Sequence, residues 1–254
     1  MNLKDQTIFI TGASRGIGRA IALKCAEAGA NIVIASKTDT PHPKLPGTIH
    51  SVAEEVEQAG GKALALVLDV RDEEGIANVM RQAADHFGGI DCLINNAGAI
   101  FLAGTGATPM KRYDLMQSVN TRGTYACSQA ALPYLQKAKN PHILNLSPPI
   151  DMDPKWLENH VAYTISKYGM SMCTLGMSAE LKSAGIAVNS LWPRTIIATD
   201  ALRMVGGTSL FQMARTPAIM ADAVYEILTT ENNELTGQWL IDETFLKQRG
   251  VTDF

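Results

Sequence analysis

The sequence contains few cysteines, and none is placed for a disulfide or a metal site. Cys25, Cys92, Cys127 and Cys173 are widely spaced, form no C-x-x-C pair and fall in segments that read as buried helix or strand. Such cysteines are typical of reduced core thiols in the cytosol. We therefore expect a cytoplasmic protein without a bound metal.

A surplus of one charge and long apolar runs are also missing. The formal net charge is −3, and no long basic run offers a footprint for nucleic acid or an anionic membrane. The N-terminus passes through Lys4 and Asp5 directly into a short apolar strand, and no apolar run is long enough to span a bilayer. We expect a small-molecule substrate, no nucleic-acid partner and no membrane association.

Short apolar runs alternate with longer segments of helical period. Strand-like runs occupy residues 7–10, 31–35, 62–70, 91–95, 142–146 and 186–192, and helical stretches lie near 16–28, 48–59, 72–86, 110–138 and 161–184. Strands separated by ten or more helical residues imply right-handed crossovers and a parallel sheet covered on both faces. The pattern predicts an α/β fold with a single Rossmann-type doubly wound sheet, and one domain over residues 1–254.

A glycine-rich turn, TGASRGIG, joins the first strand to the first helix. Gly12 permits the tight turn, Gly16 lets the backbone approach phosphate, and Gly18 lets the helix pack close to the sheet. An ordinary strand-to-helix turn is the alternative. Because the motif follows a strand and opens a βαβ unit, a dinucleotide site is favoured, with Ser14 and Ile17 in the same turn.

The end of the second strand favours NADP over NAD. An NAD site usually carries a carboxylate there, whereas a nearby cation accommodates a 2′-phosphate. This chain offers Ser36 and Lys37, with Arg15 available from the glycine turn. The alternative is that both cations are solvated loop residues. The proline-rich segment 38–47 follows directly, and the sequence gives it no role.

The stretch AYTISKYG places Tyr163 and Lys167 four residues apart on one face of a helix. A phenol is a poor base at neutral pH, but an adjacent ammonium favours the phenolate and lowers its pKa. Tyr163 could then exchange a proton with a carbonyl oxygen. A surface Tyr and Lys at helical spacing is the alternative for so short a motif.

Six motifs in order resemble the short-chain dehydrogenase/reductase family: TGASRGIG, Asp69-Val70, NNAG at 95–98, VNTRG at 119–123, YTISK at 163–167 and a loop after Pro193. The resemblance covers essentially the whole chain. It implies an NADP-dependent oxidoreductase that acts on a carbonyl or secondary alcohol and forms a homodimer or homotetramer. Segment 38–47 and the SPP loop at 147–149 are unusual in the wider family and resemble one subgroup of it more closely.

The resemblance also implies residue roles. Asn120 would bind a water that links Lys167 to solvent, and Lys167 would hold the nicotinamide ribose. Alternatives remain, because Asn95 and Asn96 could cap a strand end and Asn120 could satisfy buried backbone. The cofactor contacts implied are Asp69 and Val70 at the adenine, Asn96, Ala97 and Gly98 along the ribose path, and Pro193, Thr195 and Ile196 near the carboxamide.

Two loops depart from the family pattern. The family's catalytic serine lies thirteen residues before the tyrosine, which is Ile150 here, or Pro148 when counted from the strand. Ser147 remains a candidate, although strand alternation predicts that it faces away from the site. In the second loop Arg194 replaces the family's glycine, and Thr199 lies one position later than the family's threonine. This shift puts the expected contact between Thr199 and the carboxamide in doubt.

Apolar residues in these loops suggest a lipophilic substrate. The expected substrate loops span about 148–160 and 194–215, and their large apolar residues could equally belong to the core. They are Met152, Trp156, Leu202, Met204, Val205, Phe211 and Met213.

The missing serine leaves a rival function open, an NADP-binding regulator or scaffold with little turnover. Tyr163, Lys167 and Asn120 argue against it. Enoyl reduction is disfavoured, because relatives with that activity space the tyrosine and lysine more widely.

Overall fold

Seven parallel strands form one sheet in the order β3-β2-β1-β4-β5-β6-β7. The computed structural model describes residues 2–43 and 45–254, apart from the side chains at 207 and 208. The strands are β1 (Thr7–Thr11), β2 (Asn31–Ser36), β3 (Lys62–Val67), β4 (Cys92–Asn95), β5 (His142–Asn145), β6 (Ala187–Trp192) and β7 (Trp239–Ile241). The predicted fold class is confirmed.

Helices cover both faces of the sheet. They are α1 (Gly16–Glu27), α2 (Ile49–Gln58), α3 (Glu73–Phe87), α4 (Met110–Met116), α5 (Gly123–Leu135), α6 (Val161–Glu180), α7 (Asp200–Gln212), α8 (Ala218–Thr229) and α9 (Asp242–Gln248). Side chains of α1, α2, α8 and α9 bury one face together with Ile8 and Ile10 of β1. Phe9, between them, packs with α3, α5 and α6 on the other face. The three central residues of β1 are therefore all apolar, as a doubly covered sheet requires.

Several elements differ from the sequence expectation. β3 ends at Val67 and not at Val70, and the helix expected over 110–138 contains a π-helical turn at Gln117–Arg122. β7, a short edge strand beside β6, was not expected from the sequence. Segment 194–215 was expected to be a loop, whereas α7 fills most of it.

The candidate site lies where the strand order reverses. β1 pairs with β2 on one side and with β4 on the other, so the chain leaves the sheet in opposite directions from neighbouring strands. In open α/β sheets this point leaves a crevice at the carboxyl ends of the strands. The glycine turn, NNAG and the SPP loop all follow strands that end there.

Burial of the thiols agrees with their expected place in the fold. Cys25 and Cys127 are fully buried, and burial raises the pKa of each thiol to about 12. Cys173 is only partly buried. In the described part of the chain, no helix has both the length and the apolar character needed to cross a membrane.

Candidate active site

The glycine turn is packed so closely that Gly12 and Gly18 have no room for a side chain. Gly12 and Gly16 have φ values of 68° and 57°. A Cβ at Gly18 would lie 2.8 Å from the carbonyl oxygen of Gly12 and would overlap the Asn96 amide. The first turn of α1 therefore packs directly on the loop that precedes it, as a phosphate-binding turn requires. The turn thus fits a dinucleotide, and Ser14 and Ile17 lie within it.

Asn96 holds the glycine turn from the neighbouring strand. Its Nδ2 donates to the carbonyl oxygens of Thr11 and Gly12, at 2.8 and 3.0 Å. The hydroxyl of Thr11 in turn accepts from the backbone N–H groups of Asn96 and Ala97. The Asn96 amide, expected to contact the cofactor, is therefore directed at protein backbone and shapes the turn.

Two cations lie near the end of β2, in different surroundings. The Lys37 ammonium is 3.2 Å from the carboxylate of Asp69. Arg15 extends over segment 38–47, where its Nη2 donates to Thr38 Oγ1 and to the Gly47 carbonyl oxygen, each at 3.2 Å. The expected 2′-phosphate ligands are thus present, but one of them already carries an ion-pair partner.

Asp69 is the centre of an ion cluster beyond β3. The Arg71 guanidinium donates to both of its carboxylate oxygens, and these contacts lower the pKa of Asp69 well below its usual range. Lys37 contributes to the same shift. The carboxylate is therefore an acceptor at any physiological pH, and Val70 beside it packs against Gly123.

Tyr163 and Lys167 lie on the first turns of α6, as the motif predicts. The Lys167 ammonium donates to the Leu146 carbonyl oxygen at 2.6 Å and lies 5.3 Å from the centre of the Trp192 ring. Burial lowers the pKa of Lys167 to about 7. The lysine is therefore held between the end of β5 and the end of β6.

The pKa of the phenol moves opposite to the sequence expectation. Burial raises the pKa of Tyr163 to about 12, and the Lys167 ammonium does not offset the shift. The reason is geometric, because that ammonium is directed at the Leu146 carbonyl oxygen. At neutral pH Tyr163 is thus a protonated phenol.

Asn120 lies in the π-helical turn between α4 and α5 and is fully buried. Its amide pairs with the backbone of Ala99, accepting from N–H at 2.7 Å and donating to the carbonyl at 2.9 Å. Nδ2 also donates to Ser166 Oγ at 2.9 Å. The side chain thus joins the NNAG loop, next to Gly98, to the helix that carries Tyr163. This is the backbone-satisfying alternative that the sequence left open.

Ser147 is fully buried, and its hydroxyl meets Ser190 of β6 at 2.9 Å. Ser190 is 2.6 Å from the Thr174 hydroxyl, which accepts from Asn145 at 2.8 Å. Asn95 continues this buried network by donating to Asn145 Oδ1 at 2.8 Å. The Ser147 hydroxyl is thus a member of an interior network beneath the strand ends.

The SPP loop is fixed to α6 by two contacts. Ser171 Oγ donates to the Pro148 carbonyl oxygen at 2.6 Å, and the Tyr168 hydroxyl donates to the Asp151 carbonyl oxygen at 2.6 Å. The Asp151 carboxylate accepts from the Trp156 indole at 2.9 Å. Asp151 therefore shapes the loop.

The loop after Pro193 is anchored at both ends. Asp242, fully buried, accepts from the Arg194 N–H at 2.9 Å, and Arg215 exchanges backbone hydrogen bonds with residues 196 and 198. Thr199 caps α7 by accepting from the Leu202 N–H at 3.2 Å. Its hydroxyl is thereby occupied, whereas Thr195 and Ile196 between the anchors are exposed.

The large apolar residues of the two loops are mostly exposed. Met152 and Trp156 are 75% and 50% exposed, and Met204 and Met213 are each 74% exposed. Leu202 and Phe211 are partly buried. Val205 is 44% exposed as well, and these exposures exclude a core position for all five exposed side chains.

Comparison with known proteins identifies the family. A model described as short chain dehydrogenase matches residues 6–207. The chain belongs to the short-chain dehydrogenase family. The enzyme class expected from the motifs, a short-chain dehydrogenase/reductase, is therefore confirmed.

Individual short-chain dehydrogenase relatives extend over nearly all of the chain. Hydroxysteroid dehydrogenase-like protein 2 of Danio rerio is 58% identical over 98% of this chain, which spans 59% of that relative's length. A Xanthomonas campestris protein whose crystal structure is described as that of a dehydrogenase is 53% identical, with a TM-score of 0.96 over 100% of this chain and 93% of its own. A metagenomic short-chain oxidoreductase in complex with NADP is 26% identical, with a TM-score of 0.77 over 94% and 97% of the two chains.

Several contacts of this short-chain dehydrogenase site were missed by the sequence analysis. Trp192 beside Lys167 and Asp242 beneath the Pro193 loop depend on β6, β7 and α9 meeting at one end of the sheet. No local pattern signals either contact. The contact between Arg15 and Gly47 crosses from the glycine turn to the proline-rich segment, and the prolines alone pointed to that segment.

Proposed function

We propose that this chain is an NADP-dependent oxidoreductase that transfers hydride between a nicotinamide cofactor and a carbonyl or secondary alcohol of a lipophilic substrate. The observation that carries the proposal is the pairing of Tyr163 with Lys167 on α6, with Lys167 fixed to the end of β5 by a 2.6 Å hydrogen bond. The Rossmann-type crevice and the glycine turn support a dinucleotide beside this pair.

The chain's own residues divide the work of binding and proton transfer. The backbone of Gly12, Gly16 and Gly18, with Ser14 and Ile17, would hold the phosphates. Arg15 and Lys37 would hold a 2′-phosphate, Asp69 and Val70 the adenosine, and Asn96, Ala97 and Gly98 the ribose path. Pro193, Thr195 and Ile196 would border the carboxamide. A nicotinamide dinucleotide bound in this way supplies hydride from its ring.

Tyr163 would act as the acid in carbonyl reduction. A phenol with a pKa of about 12 holds its proton at neutral pH, and it would donate that proton to the carbonyl oxygen. The negative charge of the resulting phenolate would favour the protonated form of Lys167, whose ammonium would stabilise it. Asn120 would hold the helix of this pair against the NNAG loop through its contacts with Ala99 and Ser166. Ser147 would have no catalytic role, because its hydroxyl belongs to the interior network.

The substrate wall would be formed by segments 148–160 and 194–215 of a single domain spanning residues 1–254. Exposed methionines at positions 152, 204 and 213, together with Trp156, give these segments an adaptable apolar surface. Such a surface favours lipophilic carbonyls. We also propose a cytoplasmic location, no resident metal, and no nucleic-acid or membrane partner.

A homodimer or homotetramer is proposed from the outer faces of α5 and α6. Tyr125, Met172 and Leu175 are 54%, 61% and 50% exposed there, and Ile165 is 43% exposed. An apolar set of this kind is typical of an interface. Analytical ultracentrifugation would test the assignment, and a monomer at micromolar concentration would contradict it.

One test of the catalytic proposal measures NADPH oxidation by the purified chain with ketones, aldehydes, ketosteroids and 3-ketoacyl thioesters. We expect wild type to turn over at least one lipophilic carbonyl and Tyr163→Phe to lose most of that activity. The second candidate is an NADP-binding regulator or scaffold, favoured by the position of the Ser147 hydroxyl against Ser190. Tight NADPH binding without turnover in the whole panel would support that candidate.

A further inference from the structure

Thr38 and Gly47, near the two ends of the proline-rich segment, lie against the glycine turn. Segment 38–48 leaves β2 after Lys37, contains Pro41, Pro43 and Pro46, and ends at Thr48, which caps α2. The Ile49 N–H donates to the Thr38 carbonyl oxygen at 2.9 Å and closes the segment at its base. The ends of the segment are therefore fixed relative to β2 and α2.

Arg15 connects the glycine turn to both ends of segment 38–48. Its Nη2 donates to Thr38 Oγ1 and to the Gly47 carbonyl oxygen, each at 3.2 Å. A free arginine side chain loses much conformational entropy when it binds an anion, and a side chain already held in place loses less. The segment thus determines where the guanidinium is held.

Gly47 is in direct contact with the turn. Its φ is 79°, and a Cβ at this position would overlap the carbonyl oxygen of Ser14. Only glycine combines this backbone conformation with so close an approach. A larger residue at position 47 would displace the segment from Ser14 and Arg15.

Arg15 and Lys37 differ in their charged neighbours. Lys37 is paired with Asp69, and the Asp39 carboxylate is paired with His50 at 2.7 Å. Within the described residues, no carboxylate oxygen lies within 4.0 Å of Arg15, and its buried Nε has no hydrogen-bond partner. Arg15 is thus a positioned cation whose charge is not matched by a carboxylate, and buried polar groups normally find a partner.

We propose that the two ends of segment 38–48 hold Arg15 in position and thereby set the preference of the site for a 2′-phosphorylated adenosine. Thr38 and Gly47 are its positioning residues. This inference rests on the proposed NADP function and adds the part of the chain that enforces it. The segment has no role in hydride transfer itself.

The test compares binding of adenosine 2′,5′-bisphosphate and adenosine 5′-monophosphate, which differ only in the 2′-phosphate, by calorimetry on the full chain. Wild type should prefer the bisphosphate. Thr38→Val removes one acceptor without changing the shape of the side chain, and should reduce that preference about fivefold, as expected for one hydrogen bond. Gly47→Ala should reduce it about tenfold, because both Arg15 contacts are displaced.

Two variants serve as controls. Thr38→Ser keeps the acceptor and should retain the wild-type preference, as should Pro43→Ala at an exposed position of the same segment. A purely structural effect would weaken the binding of both nucleotides equally. The ratio of the two affinities therefore separates a positioning role from general damage to the fold. Thr38→Val, which preserves shape, keeps the test decisive if Gly47→Ala does not fold.

Two results would overturn the inference, and only one of them would also contradict the proposed NADP function. Equal binding of the two nucleotides by wild type would contradict both the NADP preference and the positioning role. If wild type binds the bisphosphate more tightly than the monophosphate and a folded Thr38→Val keeps that full preference, only the positioning role is contradicted.

Discussion

The ammonium of Lys167 donates a 2.6 Å hydrogen bond to the carbonyl oxygen of Leu146, one residue before the SPP loop. The next residue, Ser147, directs its hydroxyl to Ser190. The end of β5 therefore serves two different purposes. Its backbone holds Lys167, the lysine of the proposed catalytic pair, whereas its one hydroxyl supports the interior of the sheet.

This arrangement predicts that Ser147→Ala lowers stability more than it lowers turnover. Loss of a buried hydrogen bond costs about 1–3 kcal/mol of unfolding free energy, because Ser190 loses a partner. The reduction in kcat should remain below about tenfold, against roughly 10²–10³ for loss of an oxyanion donor. Urea unfolding and steady-state kinetics on the same preparation measure both quantities.

Ser190→Ala is the matched control, because it removes the other partner of the same hydrogen bond from a residue outside the proposed site. It should lower stability at least as much as Ser147→Ala, because Ser190 also contacts the Thr174 hydroxyl, and it should leave kcat similarly little changed. A thousandfold loss of kcat in Ser147→Ala alone, with NADPH affinity intact, would show that the serine acts on the substrate.

Stability should depend on pH through Lys167. Its pKa falls from 10.5 to about 7 on folding, so between these values the unfolded chain binds more protons than the native one. The unfolding free energy of wild type therefore rises with pH in that window, and the penalty for burying the charge is complete only below pH 7.

Lys167→Met should thus stabilise the protein at pH 6 more than at pH 9, by about 3 kcal/mol, since one pKa unit corresponds to about 1.4 kcal/mol. Urea unfolding at both pH values provides the comparison. Parallel pH dependence in the two proteins would show that Lys167 keeps its ordinary pKa in the native state.

Local patterns were sufficient to predict the sheet, the glycine turn and the helical pairing of Tyr163 with Lys167. Each is encoded within about ten neighbouring residues by apolar alternation, glycine spacing or helical spacing. β7 could not be predicted, because its three residues show no apolar period and form a strand only by pairing with β6.

The parts of the site that could not be predicted depend on contacts between distant segments. Lys37 meets Asp69 only because β2 and β3 are neighbours in the sheet. The raised pKa of Tyr163 depends on burial, which the spacing of the motif does not report. The direction of Ser147, in contrast, followed from strand alternation, and the hydroxyl does face the interior network.

Arg15 should contribute more than Lys37 to cofactor preference. Arg15→Ala should weaken NADPH binding about 10- to 100-fold, the range for charged hydrogen bonds, with little effect on NADH. Lys37→Ala should weaken it only about fivefold, because the ammonium is exposed and already paired with Asp69. Fluorescence titration of both cofactors with each variant measures the difference. A larger loss in Lys37→Ala would reverse the assignment.

The central claim, proton donation by Tyr163 during hydride transfer, is tested most directly by Tyr163→Phe. The substrate is any carbonyl that wild type reduces, and kcat and the NADPH Kd are measured together. We predict a fall in kcat of about 10²–10⁴, the usual contribution of a general acid, with the NADPH Kd changed less than about twofold. A variant that keeps most of its kcat would contradict the account.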